Sequence, residues 1–197
     1  MGKVNFDEAA VWALSREGDA ASFGLMFDAH RDRVFGQALR QMRSSHDAED
    51  VAALVFLEAW RRRDSVRVVD GSIIGWLLVT TNNVARNVAR SRRRFETAMR
   101  SIPPLENELD HSDAVNDRLD RLGQDARVND AFSQLSKRDQ DVITLCVLEE
   151  FSMPEAAQAL DVPLGTVKSR LSRAKQRLAV LTTQIVTPHP SASGGAQ

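Results

Sequence analysis

The sequence predicts an all-α fold of two small helical domains joined by a flexible acidic linker. Apolar residues recur three and four positions apart in almost every patterned segment, which is the spacing of helices packed on one face. We find no convincing run of alternating apolar and polar residues, the pattern of a half-buried strand. Charge then divides the chain, because residues 86–100 contain six arginines and one acid, whereas residues 101–130 contain eight acids and three arginines.

The first predicted domain, residues 1–100, contains an amphipathic helix over residues 47–60. Val51, Leu54, Val55 and Trp60 can face a core, and Asp47 can cap the start of the helix. The acids of this segment share the other side, which taken alone indicates a solvated acidic face. These acids are Asp47, Glu49, Asp50 and Glu58.

A second helix of this domain, over residues 75–94, carries a polar and basic face. Asn83 and Asn87 lie one helical turn apart and share a face with Arg90 and Arg94. Asparagine can pair with adenine edges or contact exposed bases, but a solvated polar face is an equally good interpretation of the pattern. The apolar surface comes from Trp76, Leu77, Val84 and Val88.

The acidic stretch that follows predicts a linker over residues 101–124. It opens with IPPL, whose prolines break a helix, and it has few large apolar residues. The alternative is a solvated surface helix within one continuous domain. Residues 184–197 have the composition of a disordered tail.

The second predicted domain, residues 125–183, can be parsed by its helix caps. Ser136 is followed by Asp139, which predicts a capped helix running through Leu148. Ser152 and Glu155 form a capping-box pattern before the short helix PEAAQAL. DVPLG is a turn, and Thr166 can cap the last helix.

That last helix combines one narrow apolar stripe with a basic, acid-free surface. Its exposed side holds Ser169, Ser172, Arg173 and Gln176, and cations flank the stripe on both edges. A short helix, a turn and a basic helix are typical of a helix-turn-helix, whose second helix reads the major groove. The alternatives are a solvated basic helix, a coiled coil and a membrane-surface helix, although the stripe lacks the Trp or Phe that a membrane helix favours.

Three segments carry a resemblance to a known family. PLGTVKSRLSRAK, residues 163–175, resembles the signature GTVKSRL.RA in the fourth conserved region of extracytoplasmic-function sigma factors of the sigma-70 type. DAEDVAALVFLEAW, residues 47–60, resembles the family's DAEDLVQETFLRAW, and GWLLVTTNNVARN, residues 75–87, resembles TWLYRIARN. The resemblance covers residues 11–95 and 128–181. The chain departs from the family at Asp161, where Gly is frequent, and at Ala156, where a larger aliphatic residue is common.

The resemblance implies a promoter-specificity subunit whose partners are core RNA polymerase, promoter DNA and an anti-sigma factor. Its N-terminal domain is then expected to bind polymerase and to read and melt the minus-ten element, with a base captured by the loop at residues 61–72. The C-terminal domain is expected to read the minus-thirty-five element as duplex. The implied polymerase contacts are Asp50, Phe56 and Glu58; the implied minus-ten contacts are Asn83, Arg86, Asn87 and Arg90; the implied minus-thirty-five contacts are Thr166, Lys168, Ser169, Arg170, Ser172, Arg173 and Arg177.

Other classes of protein fit the sequence less well. The four histidines are scattered without metal-ligand spacing, and no phosphate-binding glycine loop occurs, so we expect no enzyme, cofactor or metal. No apolar run is long enough to span a membrane, and the N-terminus does not resemble a signal peptide, so we expect a cytoplasmic protein. Cys146 is the one cysteine and is expected to be buried. The main alternative is a stand-alone helix-turn-helix regulator.

Overall fold

The computed structural model describes residues 7–42, 44–100 and 119–186, and the all-α prediction is confirmed over these ranges. The N-terminal helices are α1 (Glu8–Arg16), α2 (Ala20–Leu39), α3 (Ser45–Arg61) and α4 (Ile74–Arg100). The C-terminal helices are α5 (Leu119–Gln134), α6 (Lys137–Ile143), α7 (Met153–Leu160) and α8 (Leu164–Val186). Among the described residues the only β pairing is a single bridge between Val69 and Ser72.

Helices α1 to α4 enclose one apolar core. Side chains from all four helices meet there, and the larger members are fully buried. Polar caps set where the first three helices begin: Asp7, Asp19 and Ser44 each accept a hydrogen bond from the backbone N–H three residues further on. The predicted cap at Asp47 is therefore wrong by three positions, because the Ser44 hydroxyl takes that role. The largest of its fully buried side chains are Trp12, Met26, Val34, Val51, Val55, Ile73, Leu77 and Leu78.

Helix α5 begins earlier than the sequence analysis predicts. It starts at Leu119, so the predicted linker is helical over residues 119–124. Leu119, Leu122 and Ala126 recur at helical spacing, a pattern that the surrounding acids obscured. The rest of the predicted linker, residues 101–118, and residues 187–197 of the predicted tail lie outside the described residues. Residues 184–186 of that tail belong to α8.

The C-terminal helices follow the predicted caps, with one change of helix type. Ser136 caps α6, and Ser152 with Glu155 forms a reciprocal capping box at α7. Regular α-helix ends at Ile143 instead of continuing to Leu148, and Thr144–Leu148 forms a π-helical turn. Two small cores result, one around Val142, Leu145 and Val167 and the other around Phe132, Ile143 and Ala174.

The C-terminal helices pack directly on the N-terminal ones through α4. Helices α6 and α7 and the π-helical turn all contact α4. Phe151 packs against the N-terminal core, and Val69 from the loop before α4 belongs to the core around Val142. Gly75, in the first turn of α4, allows this approach: a Cβ there would lie 3.1 Å from the Phe151 ring and 3.2 Å from the Ala159 methyl group.

Candidate nucleic-acid interface

Helix α8 buries one stripe and presents a basic surface to solvent. Val167 and Ala174 are fully buried, and Leu171, Leu178 and Leu181 pack beside them, as the sequence predicts. The opposite face is exposed, and it contains small polar side chains among cations. A major groove accepts a helix of this kind, with polar groups toward base edges and cations toward phosphates.

A left-handed turn sets the angle between α7 and α8. Asp161 ends α7 with φ of 55° and ψ of 51°, a conformation that Asp and Asn tolerate better than most residues. The helix following the turn begins at Leu164, so Thr166 lies within its first turn and does not cap it, and the Thr166 N–H donates to the Pro163 carbonyl at 2.8 Å. The Pro163 carbonyl also accepts from the Val167 N–H at 3.3 Å, so the helical hydrogen bonds begin at Pro163.

The predicted minus-thirty-five residues occupy two environments. Lys168, Ser169, Ser172, Arg173 and Arg177 are exposed, whereas Thr166 and Arg170 are half-buried. Two of the exposed side chains bond to their own helix: Ser169 Oγ donates to the Thr166 carbonyl at 3.1 Å, and Arg173 Nε donates to the Ser169 carbonyl at 3.1 Å. Arg170 faces inward, close enough to Asp141 for its charge to favour the ionised carboxylate.

The predicted minus-ten residues on α4 differ more sharply in exposure. Asn87 and Arg90 are exposed, while Asn83 is half-buried and its Oδ1 lacks a hydrogen-bond partner within the described residues. Arg86 is half-buried and donates to Gln140 Oε1 of α6. Burial lowers the pKa of the Arg86 guanidinium, and the nearby Asp141 carboxylate opposes that shift.

The loop before α4 is fastened at both ends. Arg63–Ser65 forms one turn of 3₁₀-helix, and Asp70 and Gly71 both have positive φ, as in a type I′ turn, between mutual hydrogen bonds of Val69 and Ser72. Glu8 of α1 anchors the far end, because its Oε1 accepts from Ser72 Oγ at 2.8 Å and from the Ile73 N–H at 2.9 Å. Nothing in the local sequence pattern of the loop indicated this partner.

The predicted polymerase contacts on α3 do not form one exposed set. Asp50 is exposed, and Glu58 is half-buried in an ion pair with Arg62 at 2.7 Å. Phe56 is only 4% exposed and packs edge-on against Phe27, so little of its ring is accessible to a partner. Its ring instead forms the floor of a shallow apolar groove of about 310 Å³. The other residues that line the groove are Ala20, Phe23, Leu57 and Trp60.

The described residues contain few other side chains that could bind a metal or act in catalysis. There, no three His, Cys, Asp or Glu residues are grouped as metal ligands would be. Cys146 is half-buried, and burial raises the pKa of its thiol. Within the same ranges, no helix combines the length and apolar character that crossing a bilayer requires.

Comparison with known proteins accounts for both halves of the chain. The family model described as Sigma-70 region 2 matches residues 26–95, and Sigma-70, region 4 matches residues 125–178. The chain belongs to the extracytoplasmic-function sigma factors. The matches occur in separate halves and in the order expected for this family, and together they span most of the chain. Because a region 2 precedes the helix-turn-helix, the alternative of a stand-alone regulator is wrong.

Individual relatives support the same family. This sigma factor is 31% identical to the ECF RNA polymerase sigma factor SigE of Mycolicibacterium smegmatis over 152 residues, 76% of this chain but only 57% of that protein. It is 26% identical to SigW of Bacillus subtilis over 171 residues, which are 83% of this chain and 90% of SigW. It is 28% identical to the ECF sigma-E factor of Haemophilus influenzae, covering 90% and 96% of the two chains.

Solved structures share the fold of this sigma factor. CnrH, in complex with the cytosolic domain of CnrY, matches with a TM-score of 0.60 at 22% identity over 92% of this chain and 100% of CnrH. RpoE of Bartonella quintana, in complex with the anti-sigma factor NepR, matches with a TM-score of 0.50 at 21% identity over 84% and 98% of the two chains. As a family, sigma factors are transcription initiation factors and not catalysts.

Proposed function

We propose that this sigma factor gives core RNA polymerase its promoter specificity through two DNA surfaces, one on α8 and one on α4. The observation that carries the proposal is the α8 surface: an exposed, acid-free face with small polar groups between cations, positioned by the turn at Asp161. The corresponding domains are residues 1–100 and 125–183, with residues 101–124 between them. The chain acts in the cytoplasm, on the polymerase that transcribes its promoters.

The α8 surface suits duplex recognition at the minus-thirty-five element. Lys168, Ser169, Ser172 and Arg173 are exposed and can reach base edges. The Arg173 guanidinium donates one N–H to a carbonyl of its own helix, and its other N–H groups can contact a base. Arg177 extends the same face toward phosphates, and the half-buried Thr166 and Arg170 lie at its margin.

The α4 surface suits the minus-ten element. Asn87 and Arg90 are exposed one turn apart from Asn83 and Arg86, so the four side chains can follow one strand. The fastened loop at residues 61–72 lies immediately before this helix, where it can hold a base that leaves the stack. Capturing such a base costs on the order of a few kcal/mol, which the polymerase complex can offset.

Helix α3 is the proposed contact with core polymerase. Asp50 and Glu58 supply carboxylates, and the apolar groove floored by Phe56 lies on the same helix with Leu57 47% exposed at its edge. An acidic surface beside an apolar groove can bind a partner both by attracting its positive charges and by burying apolar surface. We also infer an anti-sigma factor as a regulatory partner, because two structural neighbours were solved with proteins bound to their sigma factors.

In-vitro transcription with core polymerase on a promoter library tests the function. We expect transcripts only from templates that share two short elements, and Arg173→Ala should change which minus-thirty-five sequences are selected. Arg138→Ala is the matched control, since Arg138 is exposed on α6 outside both proposed surfaces. Failure to associate with core polymerase, or selection that is unchanged by Arg173→Ala, would contradict the proposal.

A further inference from the structure

A basic cleft of about 790 Å³ lies between α4 and the junction of α5 with α6. One wall is the second half of α4, and the other comes from residues between Ser133 and Gln140. Gln41 and Met42, which follow α2, complete the lining. Small-molecule sites in proteins occupy about 300–1,000 Å³, so this cleft is large enough for an organic ligand of ordinary size.

The lining of the cleft is strongly cationic. Five of its side chains carry positive charge, and no carboxylate lines it. The four arginines recur at helical spacing and share one face of α4, where like charges repel and destabilise the helix. Such a face indicates an anionic partner that offsets the repulsion. The five cations are Arg86, Arg90, Arg93 and Arg94 of α4 and Lys137 of α6.

The arginine next in sequence to the cleft is neutralised, whereas those in the cleft are not. Arg92 pairs with Asp47 at 2.6 Å and with Glu96 at 3.5 Å, and none of these three residues lines the cleft. The four exposed cations of the cleft form no ion pair within the described ranges of the chain. The acids near α4 therefore leave the charge of the cleft uncompensated.

Arg86 is the cation of the cleft most affected by its surroundings. Burial lowers the pKa of its guanidinium, the Asp141 carboxylate opposes that shift, and the charge of Arg90 adds to it. Asp141 is buried and does not line the cleft, so it cannot be reached by a ligand there. An anion bound in the cleft would favour the charged form of Arg86 and reduce its repulsion with Arg90.

The hydroxyl groups of the cleft have no proton left to offer a ligand. Thr97, Ser133 and Ser136 each donate their one proton within the protein, to a carbonyl or carboxylate oxygen 2.7–2.8 Å away. Most of the donors that remain are the N–H groups of the cations. Guanidinium groups bind phosphate oxygens through paired, charge-assisted hydrogen bonds, so the cleft favours a ligand rich in phosphates.

Part of the lining is apolar. Met42, Ala85, Ala89 and Leu135 all contribute to it, and a flexible methionine with small alanines can pack against a flat ring. Inorganic phosphate would leave this surface and most of the volume unused. A ligand that combines several phosphates with an organic ring would use both the charge and the apolar surface.

We propose that this cleft is a binding site for a nucleoside polyphosphate. Its phosphates contact Arg90 and Arg93 on one wall and Lys137 on the other, and its base packs on the apolar side chains. Cations on both walls suit a compact polyanion, whereas duplex DNA is too wide to enter a cleft of this volume. The site does not rest on the proposed function, and no transcription measurement enters its test.

Isothermal titration calorimetry of the full chain with ATP tests the site. The titration is done at physiological ionic strength with a chelator present, because salt and magnesium both screen the phosphate charge. We expect one ATP per chain, weaker binding of inorganic tripolyphosphate, which lacks the base, and none of adenosine, which lacks the phosphates. No binding of ATP at millimolar concentration would overturn the site, and equal affinity for tripolyphosphate and ATP would overturn the role of the base.

Two pairs of neighbouring residues distinguish the cleft from general positive charge. Arg93→Gln and Lys137→Gln each remove a cation from the cleft, and each should weaken ATP binding about tenfold, the effect of losing one hydrogen bond from a charged group. Arg92→Gln and Arg138→Gln remove the same charge from positions that do not line the cleft and should bind as the parent does. Equal weakening in all four variants would overturn the site. Circular dichroism checks that each variant is folded.

The acids of residues 101–118 are the remaining competitor for the cleft cations. Replacing these five carboxylates by amides should leave ATP binding as tight as in the parent chain or make it tighter. Binding of ATP that appears only after the replacement would assign the cleft to the chain's own acids and overturn the proposal. The five replaced residues are Glu106, Glu108, Asp110, Asp113 and Asp117.

Discussion

Glu8 holds three separate parts of the N-terminal core together. Its Oε1 accepts from Ser72 and from the Ile73 N–H, and it meets His30 Nε2 at 2.8 Å. Glu8→Ala leaves these donors without their acceptor, so we expect a loss of about 1–3 kcal/mol in the free energy of unfolding. Glu17→Ala removes an exposed carboxylate from the end of the same helix and is the control. Urea denaturation at pH 7 measures both, and equal losses would contradict the anchoring role.

The contribution of Glu8 also depends on pH in a defined direction. Burial by itself raises the pKa of Glu8, but the hydrogen bond and charge of His30, with the bonds from Ile73 and Ser72, lower it overall. A lowered pKa means that the folded state binds the proton less tightly than the unfolded state. The stabilisation is therefore complete above the ordinary value of 4.5 and is lost as pH falls through the folded pKa. We expect the stability difference between the parent chain and Glu8→Ala to shrink accordingly below pH 4.5.

Two arginines on α8 should have separable effects on DNA binding. Arg173 lies among the proposed base contacts, so Arg173→Ala should relax preference at one minus-thirty-five position, by roughly 1–3 kcal/mol if its contact is bidentate. Arg177 lies toward phosphates, so Arg177→Ala should weaken binding to all sequences and flatten its salt dependence. Binding titrations of polymerase holoenzyme on matched and mismatched duplexes at several salt concentrations distinguish the two. Equal losses on every duplex for both variants would refute this division.

The short helix α7 depends on its cap because eight residues form few internal hydrogen bonds. Ser152 accepts from the Glu155 N–H, and the Glu155 carboxylate accepts from the Ser152 N–H at 2.7 Å. Ser152→Ala should cost about 0.5–2 kcal/mol in unfolding free energy. Ser91→Ala, on the exposed face of α4, should cost nothing measurable in the same thermal melts. A parent-like Ser152→Ala would show that packing alone holds α7 in place.

Local chemistry made much of the secondary structure predictable. The caps at Ser136 and Ser152 depend on neighbouring residues, and the sequence pattern was enough to locate them. The π-helical turn was not predictable, because its extra residue leaves the apolar spacing nearly unchanged. The burial of Phe56 was not predictable, because its ring packs against Phe27 of α2, a contact between separate helices that no local pattern records.

The seam between the two halves was the least predictable part of the molecule. Asn82 precedes Asn83, which the sequence analysis gives as a minus-ten contact. Neighbouring residues of a helix point in different directions, and Asn82 is the one that contacts α6. Charge, spacing and the family resemblance indicate candidate DNA contacts on α4 and α8, but they contain no information about how two domains pack. Arg86 was accordingly predicted as a DNA contact, and its bond to Gln140 emerged only from the three-dimensional arrangement.

Asp141 makes the packing of the two halves sensitive to pH. Burial raises the pKa of this carboxyl, and the Asn82 hydrogen bond with the charges of Lys137, Arg86 and Arg170 only partly opposes the shift. A raised pKa means that the ionised form costs stability at neutral pH, and that the cost fades as pH falls through the folded pKa toward 3.8. Asp141→Asn removes this charge but keeps an acceptor for Asn82. We expect the variant to be more stable than the parent at pH 7, and thermal melts should show the advantage shrinking toward pH 4. A constant advantage would contradict this account.

The contact between the two halves buries both polar and apolar surface, and this mixture has a thermodynamic consequence. Separation would hydrate the amides and the carboxylate around Asn82 together with the apolar surfaces of Phe151 and Val69. Hydration of polar surface lowers the heat capacity and hydration of apolar surface raises it, so the two contributions offset each other. The enthalpy of separating the halves should therefore change little with temperature, unlike the enthalpy of global unfolding, so a van't Hoff plot of the separation should be close to straight.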